Sequence, residues 1–579
     1  MYYKTKREML ETVGTALKMQ RTPYEPHWQD VARYAAPYRA RFSLADAQRG
    51  ERKNQEIIDG TTVKALRTLK SGMMAGNTSA ARQWLRLTLP DPDLAKWGPV
   101  KNWTNDLTDA MLRVLGDSNI YSSFPTLYGD SAAYATGVMS AEEDEEDVLH
   151  TRVFMTGTYW LGTDHKGRIN TFRREFRMTV WQMIEKWGAE YQGSRKIDWS
   201  RFSIHVKNLW DNSRYNEWVD VCHVIMPNVE YDRRSPFSKH KRFSSCYYEL
   251  GGSSDVGGGY TSADEGRYLE EGGYDLFPIL CHRWEATAED VYGIDCPAMM
   301  AIGDTRELQY DAEKLGKAID KMIDPPLVGP PELQGKEVWG VPGKITYLPE
   351  REGQKGLRPI YEVNPRVAEL IQAKGEIKRT IEEVFYVDLF RMLAFLDDRE
   401  RTATEITARQ EEKIAQLEPV ISQLNYGVLD PLVDLTFAYM MRQPDLIPPP
   451  PPELEGQKLK VEYISTMAQA LKALGLASTE RTINFALTIA QGNPAILDKV
   501  QWDEALEEYA ERAGAPSRII VPQDQVNQIR QARAAQQAAA QKMAGIEQMA
   551  KGARDLAGAD TEGKNALTDV LGALRGKVA

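Results

Sequence analysis

The spacing of apolar residues along this chain switches between a helical and a strand period, and the switches mark out its elements. The clearest helical run lies late, between Asp397 and Met441, where Ile414, Leu417, Ile421, Leu424, Val428, Leu432 and Leu435 recur at intervals of three and four. That spacing lays an apolar stripe along one side of a helix of roughly ten turns or more. Pro419 and Pro431 lie inside the run. Each lacks a backbone donor and crowds the preceding turn, so a bent rod is expected. Ahead of it stand five consecutive charges, Asp397, Asp398, Arg399, Glu400 and Arg401. A charged loop feeding a long kinked helix is odd for an enzyme and natural for the lining of a pore.

The N-terminal half mixes both periods. Amphipathic spacing predicts helices over Lys6–Gln20 and Glu25–Ala36, the second stopped by Pro37. Asp59 or Thr61 caps a helix that carries Val63, Leu66, Leu69 and Met73. A further helix is expected from Val100 to Leu115, with Gly116 ending it. Beyond Val148 the period becomes two. Val153–Leu161 and Ile169–Arg177 flank the turn signal Asp164-His-Lys-Gly167 and read as a hairpin. Thr179 is placed to cap a short helix ending at Trp187-Gly188, and Val219–Met226, Arg242–Leu250 and Leu276–Trp284 read as strands. Residues 1–288 thus read as one mixed α/β domain, with helices first and sheet later.

The helical period then returns. Pro297–Ile323 is expected to be a helix about 40 Å long. A second starts at Asn364-Pro365 and runs to Leu389. Between them lies a proline-punctuated insert, 324–363, with short strands expected at Glu337–Trp339 and Lys344–Leu348. Two long helices joined by a compact insert make an antiparallel pair with the insert at its tip. After the kinked helix, Pro448–Pro452 forms a rigid spacer, and Lys458–Ile464 alternates like a strand that could rejoin the earlier sheet. From Thr466 the chain is helical and increasingly rich in Ala and Gln, most clearly over Asp498–Arg512 and Gln523–Leu556. The fold class expected is therefore α+β, multidomain and helix-rich.

Composition changes this picture in three places. At 579 residues the chain exceeds one compact core. A net charge of −11 argues against a protein that grips nucleic acid tightly, because such proteins carry a basic footprint. Four cysteines far apart (Cys222, Cys246, Cys281, Cys296) read as free thiols in a reducing compartment, with disulfides or a metal as the alternatives. No apolar run approaches the ~20 residues that span a bilayer, and the first residues are too charged for a signal peptide. The six consecutive acids Glu142–Asp147 read either as a solvated loop or as a surface that docks on a basic neighbour.

Catalytic chemistry finds no foothold. There is no G-x-x-x-x-G-K-[ST] phosphate loop, since Gly343-Lys344 is followed by Ile345. The seven histidines form no H-E-x-x-H, and G-x-S-x-G is missing. Glu382-Glu383 and Glu411-Glu412 fit solvated helix faces better than acid–base pairs. No catalytic, cofactor-binding or metal-binding residues are therefore expected. The competing readings are a hydrolase built on scattered carboxylates and histidines, and a tail adaptor or other virion assembly protein.

Several local phrases, in order, resemble the head-to-tail connector (portal) proteins of short-tailed bacteriophages. They are Asp59-x-Thr61, Ser71-Gly-Met-Met, Thr78-Ser-x-x-x-x-Trp84, Ser118-Asn-x-Tyr121, Tyr292-Gly followed by Pro297-Ala-Met, Asp324-Pro-Pro, and Thr402-Ala403-Thr404-Glu405-x-x-x-Arg409. They span residues 1–465. The resemblance implies a homo-oligomeric ring, usually of twelve subunits, at one vertex of the virion capsid, assembled in the host cytoplasm. Double-stranded DNA would pass through it without sequence-specific contacts. The implied partners are the terminase large subunit, tail adaptor proteins, and the major capsid and scaffolding proteins, with no membrane. By the same resemblance, residues 1–288 are the α/β wing, 289–323 and 364–389 the stem helices and 324–363 the clip. Residues 390–401 are the tunnel loop, 402–442 the long kinked helix, 443–465 the spacer and wing strand, and 466–579 the helical crown or barrel.

In such a ring each channel residue recurs once per subunit. About ten phosphate contacts already give a tight, steeply salt-dependent grip, so an unopposed cation per copy would stall moving DNA. The expected loop carries three acids against two arginines. Asp397, Asp398 and Glu400 are expected to keep the bore weakly repulsive, while Arg399 and Arg401 touch phosphate transiently or pair with a neighbour's acids. In the clip, strands around Val338, Trp339, Ile345 and Tyr347 are expected to pair across subunits or to dock the tail.

Overall fold

The computed structural model describes residues 6–43, 53–91, 94–95, 97–189, 196–250, 267–287, 289–323, 327–328, 358–359, 367–395, 415–443, 446–454, 456–465, 467–468, 476–490, 498–512, 521 and 523–557. It is helix-rich with sheets, and it divides into two compact units. One comprises Met1–Arg86, Leu107–Pro448 and Val461–Thr482, the other Leu87–Asp106, Pro449–Lys460 and Ile483–Ala579.

In the first unit, α1 (Lys6–Arg21) and α2 (Glu25–Tyr34) form where the spacing predicts, joined by a 3-10 turn at Thr22–Tyr24. Helix α3 (Thr61–Asn77) follows. Helix α4 (Gly98–Asp117), whose residues up to Asp106 belong to the second unit, runs through Gly116 rather than stopping there. Helix α5 (Ile120–Tyr134) has no counterpart among the expected elements. Ten of its residues are buried, Phe124, Tyr128 and Asp130 among them, so it has no polar face to set against an apolar stripe.

The strands of this unit are β2 (Thr136–Asp144), β3 (Val148–Phe154), β4 (Tyr159–Thr163), β5 (Ile169–Thr179), β6 (Trp218–Pro227), β7 (Phe243–Glu249), β8 (Glu270–Tyr274) and β9 (Ile279–Arg283), after a short β1 (Leu85–Thr88). They form two sheets where one was expected: β3-β2-β9, and the antiparallel five-stranded β4-β5-β6-β7-β8. The expected strand Val153–Leu161 is divided between them. Thr158 N turns back to Met155 O, and Gly157 takes φ +91° against the Arg41 carbonyl, a conformation a side chain would strain. The acid run is a hairpin tip. Glu142, Glu143 and Asp144 end β2 opposite His150, Leu149 and Val148, and Glu145–Asp147 make the turn. The β4–β5 turn does sit on Asp164–Gly167, with Asp164 Oδ1 accepting from the backbone of Lys166 and Arg168. Thr179 forms a full capping box with Gln182 on α6 (Val180–Trp187), which packs with α7 (Ile204–Asp211) over one end of the sheet.

Alternation along β5 sends Arg173 and Glu175 towards α1. The buried Arg173 donates to Glu175 Oε1 at 2.9 Å, to the Leu10 carbonyl at 3.2 Å and to Tyr248 Oη at 3.1 Å. At the far end of α1, Arg21 donates to the carbonyls of Gly157 and Tyr159. Two buried guanidiniums thus fasten the first helix to the sheet.

The long helices differ from expectation at their ends. The first is a single turn, α8 (Pro297–Met300), then α9 (Ile302–Ile323) after a break at Ala301. The second is α10 (Val367–Val384) followed by a separate α11 (Val387–Phe395). The chain turns at Tyr386, whose φ is +53°, and this lets Phe385, Val387, Leu389 and Phe390 all be buried. Residues 390–395, expected to begin a loop, are therefore helical. The insert's ends meet as an antiparallel pair, β10 (Leu327–Val328) with β11 (Arg358–Pro359), Leu327 opposite Pro359. The strands expected at 337–339 and 344–348 lie outside the described residues.

The kinked rod consists of α12 (415–424), a π turn at Asn425–Leu429 and α13 (Asp430–Met440). The π turn directly precedes Pro431, which cannot donate to the Gly427 carbonyl and crowds it. The apolar stripe of this stretch packs inside its own chain. Leu417, Ile421, Leu424, Val428, Leu432 and Leu435 are all buried, and so are Val420, Val433, Tyr439 and Met440 on other sides. Tyr439 Oη donates to the Ala141 carbonyl at 3.2 Å, and a Cβ on Gly427 would overlap the Cys281 carbonyl. Its described part is core of its own chain, laid on the β3-β2-β9 sheet. Strand β12 (Lys460–Tyr463) joins neither large sheet but pairs with β1, where Arg86 Nη2 meets Glu462 Oε2 at 2.6 Å. All four cysteines are buried free thiols, as expected.

The second unit has a small core of Leu89, Val100 and Leu454, with Trp97, Trp103 and Leu459 against it. Its helices α15 (Trp502–Arg512) and α16 (Gln523–Ala557) are joined by a bidentate pair, Arg530 with Asp503 at 2.6 and 2.7 Å. They follow α14 (Leu476–Ala490).

Candidate functional site

The chain enters α3 through Asp59-Gly60. Asp59 Oδ1 accepts from Thr61 N at 3.1 Å and Thr61 Oγ1 at 2.6 Å, so Asp59, one residue outside the helix, satisfies its first free donor. The other carboxylate oxygen meets Lys374 Nζ at 3.0 Å and Lys378 Nζ at 2.9 Å, one turn apart on α10. Gln309 of α9 closes the cluster. Its Oε1 accepts from Ile58 N at 2.7 Å and Asp59 N at 2.8 Å, and its Nε2 donates to the Asp59 carbonyl at 2.9 Å. One turn back, Thr305 Oγ1 lies 2.9 Å from Thr62 Oγ1 in a buried contact.

Burial pushes the Asp59 carboxyl up, but the bonds from Thr61, Lys378 and Lys374 outweigh it and hold the group well below the usual carboxylate range. An acid locked in its ionised form, with no nucleophile beside it, performs no proton transfer near neutral pH. What it does is mechanical: it ties the start of α3 to α9 and α10 at one point. Among the described residues no three His, Cys, Asp or Glu side chains are grouped to hold a metal ion, and no described helix is long and apolar enough to cross a membrane.

The other motif residues also turn out to be joints. Gly72 leaves room for the Phe390 ring of α11 against α3. Thr78 Oγ1 meets Tyr128 Oη at 2.8 Å, and Trp84 Nε1 donates to Tyr121 Oη at 3.0 Å, which brings two of the phrases together. Asn119 grips Thr151 by three bonds of 2.8 Å, through Thr151 N, O and Oγ1. Tyr292 Oη accepts from Leu161 N at 3.0 Å, and Gly293 N donates to Thr136 Oγ1 at 2.9 Å. Each side chain bridges elements distant in sequence.

A family model described as bacteriophage head to tail connecting protein matches residues 7–521. The chain belongs to that family. The portal protein of Salmonella phage epsilon15 is 39% identical over 569 residues, covering 98% of each chain. The probable portal protein of Bordetella phage BPP-1 is 36% identical over 576 residues, covering 100% of each. Among solved structures, a chain from the neck of an empty gene transfer agent particle covers 70% of this chain and 80% of its own, at 12% identity and a TM-score of 0.31. One from a native gene transfer agent virion covers 75% and 87%, at 14% identity and a TM-score of 0.31. A portal, or head-to-tail connector, has a structural role, and the motif residues within the described part of this chain act as joints.

The residues expected to face DNA in the portal channel (Asp397, Asp398, Arg399, Glu400, Arg401) lie outside the described residues. So do the clip residues Val338, Trp339, Ile345 and Tyr347, and the motif Thr402, Ala403, Thr404, Glu405 and Arg409. The helices α11 and α12 flank the first and last of these groups. Sequence reasoning missed Gln309, Lys374 and Lys378, and took Thr305 only as one position of the inward stripe of α9. The lysines carry a visible signal, a four-residue spacing on one helix face. Gln309 shows none beyond lying next to the apolar Leu308.

Proposed function

We propose that copies of this chain stand side by side in a ring, of twelve by family resemblance, at one capsid vertex, enclosing a channel through which double-stranded DNA is packaged and ejected. The observation that supports the ring is the apolar surface that α9 and α10 leave uncovered. Tyr310, Ile319, Met322, Ile323 and Ile371 are exposed in the single chain, Ile323 by 78%. Uncovered apolar side chains of this size on a charged helix pair fit an interface repeated from copy to copy.

In this reading residues 1–288 form the wing, 289–323 and 364–389 the stem, 324–363 the clip, and 466–579 the crown. The tunnel loop holds Asp397, Asp398, Arg399, Glu400 and Arg401 against the duplex, with acids in excess so that the bore does not grip. The clip, around Val338, Trp339, Ile345 and Tyr347, pairs across subunits and receives tail adaptors. Terminase supplies the ATP-driven motor, and major capsid and scaffolding proteins surround the wing of the assembled virion. End-on electron microscopy of the purified protein tests the ring. A hollow, rotationally symmetric particle is expected. A compact single-chain particle at every concentration tried would overturn it.

A further inference from the structure

The five-stranded sheet carries a trough on the face turned away from α1. Its larger part, about 400 Å³, is lined by Arg152, Arg174, Phe176, Lys186 and Tyr247, with Glu185 the one carboxylate among its lining residues. A recess of about 250 Å³ shares Arg152, Arg174 and Phe176 and continues to Arg41. The cations are held by rings: Arg174 lies 4.8 Å from the Phe154 centroid and 4.3 Å from that of Phe176, and Lys186 Nζ 4.8 Å from Trp187 and 4.7 Å from Tyr247. Rings position a cation without cancelling its charge. Among the described residues no carboxylate pairs with Arg152, Arg174 or Lys186, while Glu142 and Glu270 act only through the longer-range field. Burial and the charge of Arg152 pull Arg174 down to about 10, and burial likewise lowers Lys186. On a chain of net charge −11, three cations against Glu185 leave this lining net positive.

The same chain carries the complement. At the β2–β3 tip, Glu143 pairs with Arg442 and Asp144 accepts from Glu146 N. The carboxylates of Glu145, Glu146 and Asp147 are exposed and enter no ion pair among the described residues. Asp147 is the last residue of the turn and Arg152 lies within β3, so Val148 to Arg152 alone span roughly 13 Å at the rise of a β-strand. The ladder keeps this separation, so the tip cannot fold into its own trough.

We propose that in the ring the acidic tip Glu145–Asp147 of one copy docks in the Arg152–Arg174–Lys186 trough of the next. Two different patches on each copy meet head to tail, an arrangement that propagates and closes round a ring. Such charge contacts steer encounter and fix register. The inference rests on the ring reading above.

Its test is a charge swap in the full-length chain. Tip variant E145K/E146K/D147K changes exposed turn residues, and trough variant R152E/K186E changes two residues that line the trough. Each alone should lower the ring fraction at least tenfold, while the two mixed, or combined in one chain, should restore it. The neutral pair R152Q/K186Q should weaken assembly less and flatten its salt dependence. Melting temperatures within a few degrees of wild type confirm folding. Wild-type rings that both variants form equally well would overturn the docking and leave the ring standing. Failure of the mixed variants to rescue assembly would also overturn it. No rings from the wild type would overturn the ring itself, and the docking with it.

Discussion

Asp59 offers the sharpest quantitative test. Its side chain is 11% exposed and receives four donors, from Thr61 N, Thr61 Oγ1, Lys374 and Lys378. Asp59→Asn keeps an acceptor for Thr61 and removes the charge that holds the two lysines. Hydrogen bonds to charged groups contribute about 1.5–3 kcal/mol each. Lys378 is 40% exposed and Lys374 19%, so solvent screens the first pair more than the second. A net loss of about 2 kcal/mol is expected, and about 3 for Asp59→Ala, which also frees the helix-start donors. The chain has two units and need not unfold in one step, so a local probe is preferable to a global midpoint. Amide hydrogen exchange over α9, α10 and the start of α3 should accelerate by about 30-fold in Asp59→Asn, since each 1.4 kcal/mol is a factor of ten. The pH dependence has a definite sign. A carboxylate whose folded pKa lies below its unfolded value stabilises fully above the unfolded value, about 3.9, and loses that contribution as pH falls towards the folded one. The gap between wild type and Asp59→Asn should be full at pH 7 and begin to close below about pH 4. Exchange in Asp59→Asn within twofold of wild type at pH 7, or a gap unchanged well below pH 4, would refute the clamp.

Further expectations follow the same logic. A Cβ at Gly427 would overlap the backbone carbonyl of Cys281, whereas nothing lies within 4 Å of one at Gly316 in α9. Gly427→Ala should therefore lower the melting temperature, while Gly316→Ala should stabilise the isolated chain by about 0.5–1 kcal/mol. Burial pushes the Cys222, Cys281 and Cys296 thiols up to about 12, so alkylation at pH 8 should label none of them until the chain is unfolded. Labelling of the folded chain at the unfolded rate would contradict the buried core. Replacing Asp397, Asp398 and Glu400 by Lys should slow DNA packaging in a packaging assay while rings still form; unchanged packaging rates would remove the repulsive-bore reading. Deleting Lys336–Leu348 should abolish ring formation or tail attachment, and infectious particles from the deletion would sink the clip assignment.

The reach of the sequence shows best at particular residues. The Thr179 capping box and the Asp164–Gly167 turn were legible because both are closed within a few residues. The apolar stripe of α12–α13 was legible too, but its destination was not. Periodicity says that one face is apolar, and the same pattern serves a core helix and a channel wall. Packing on the β3-β2-β9 sheet decides for the core, through contacts such as Tyr439 with Ala141, 298 residues apart. Helix α5 escaped notice for the opposite reason: it is buried on nearly every side, so it has no contrast to read.

By itself, then, the sequence determined the local elements, the absence of a recognisable catalytic motif and, through an ordered set of short phrases, membership of the portal family. Only the tertiary structure decided that the phrases within the described residues are joints. The partners of Asp59, namely Gln309, Lys374 and Lys378, lie 250 and more residues away. No local propensity encodes a meeting at that distance; it exists because α3, α9 and α10 bury their faces together and leave one carboxylate between two lysines. Tyr386 follows the same rule, since its left-handed turn is unfavourable locally and is held by the burial of Phe385, Val387, Leu389 and Phe390 around it.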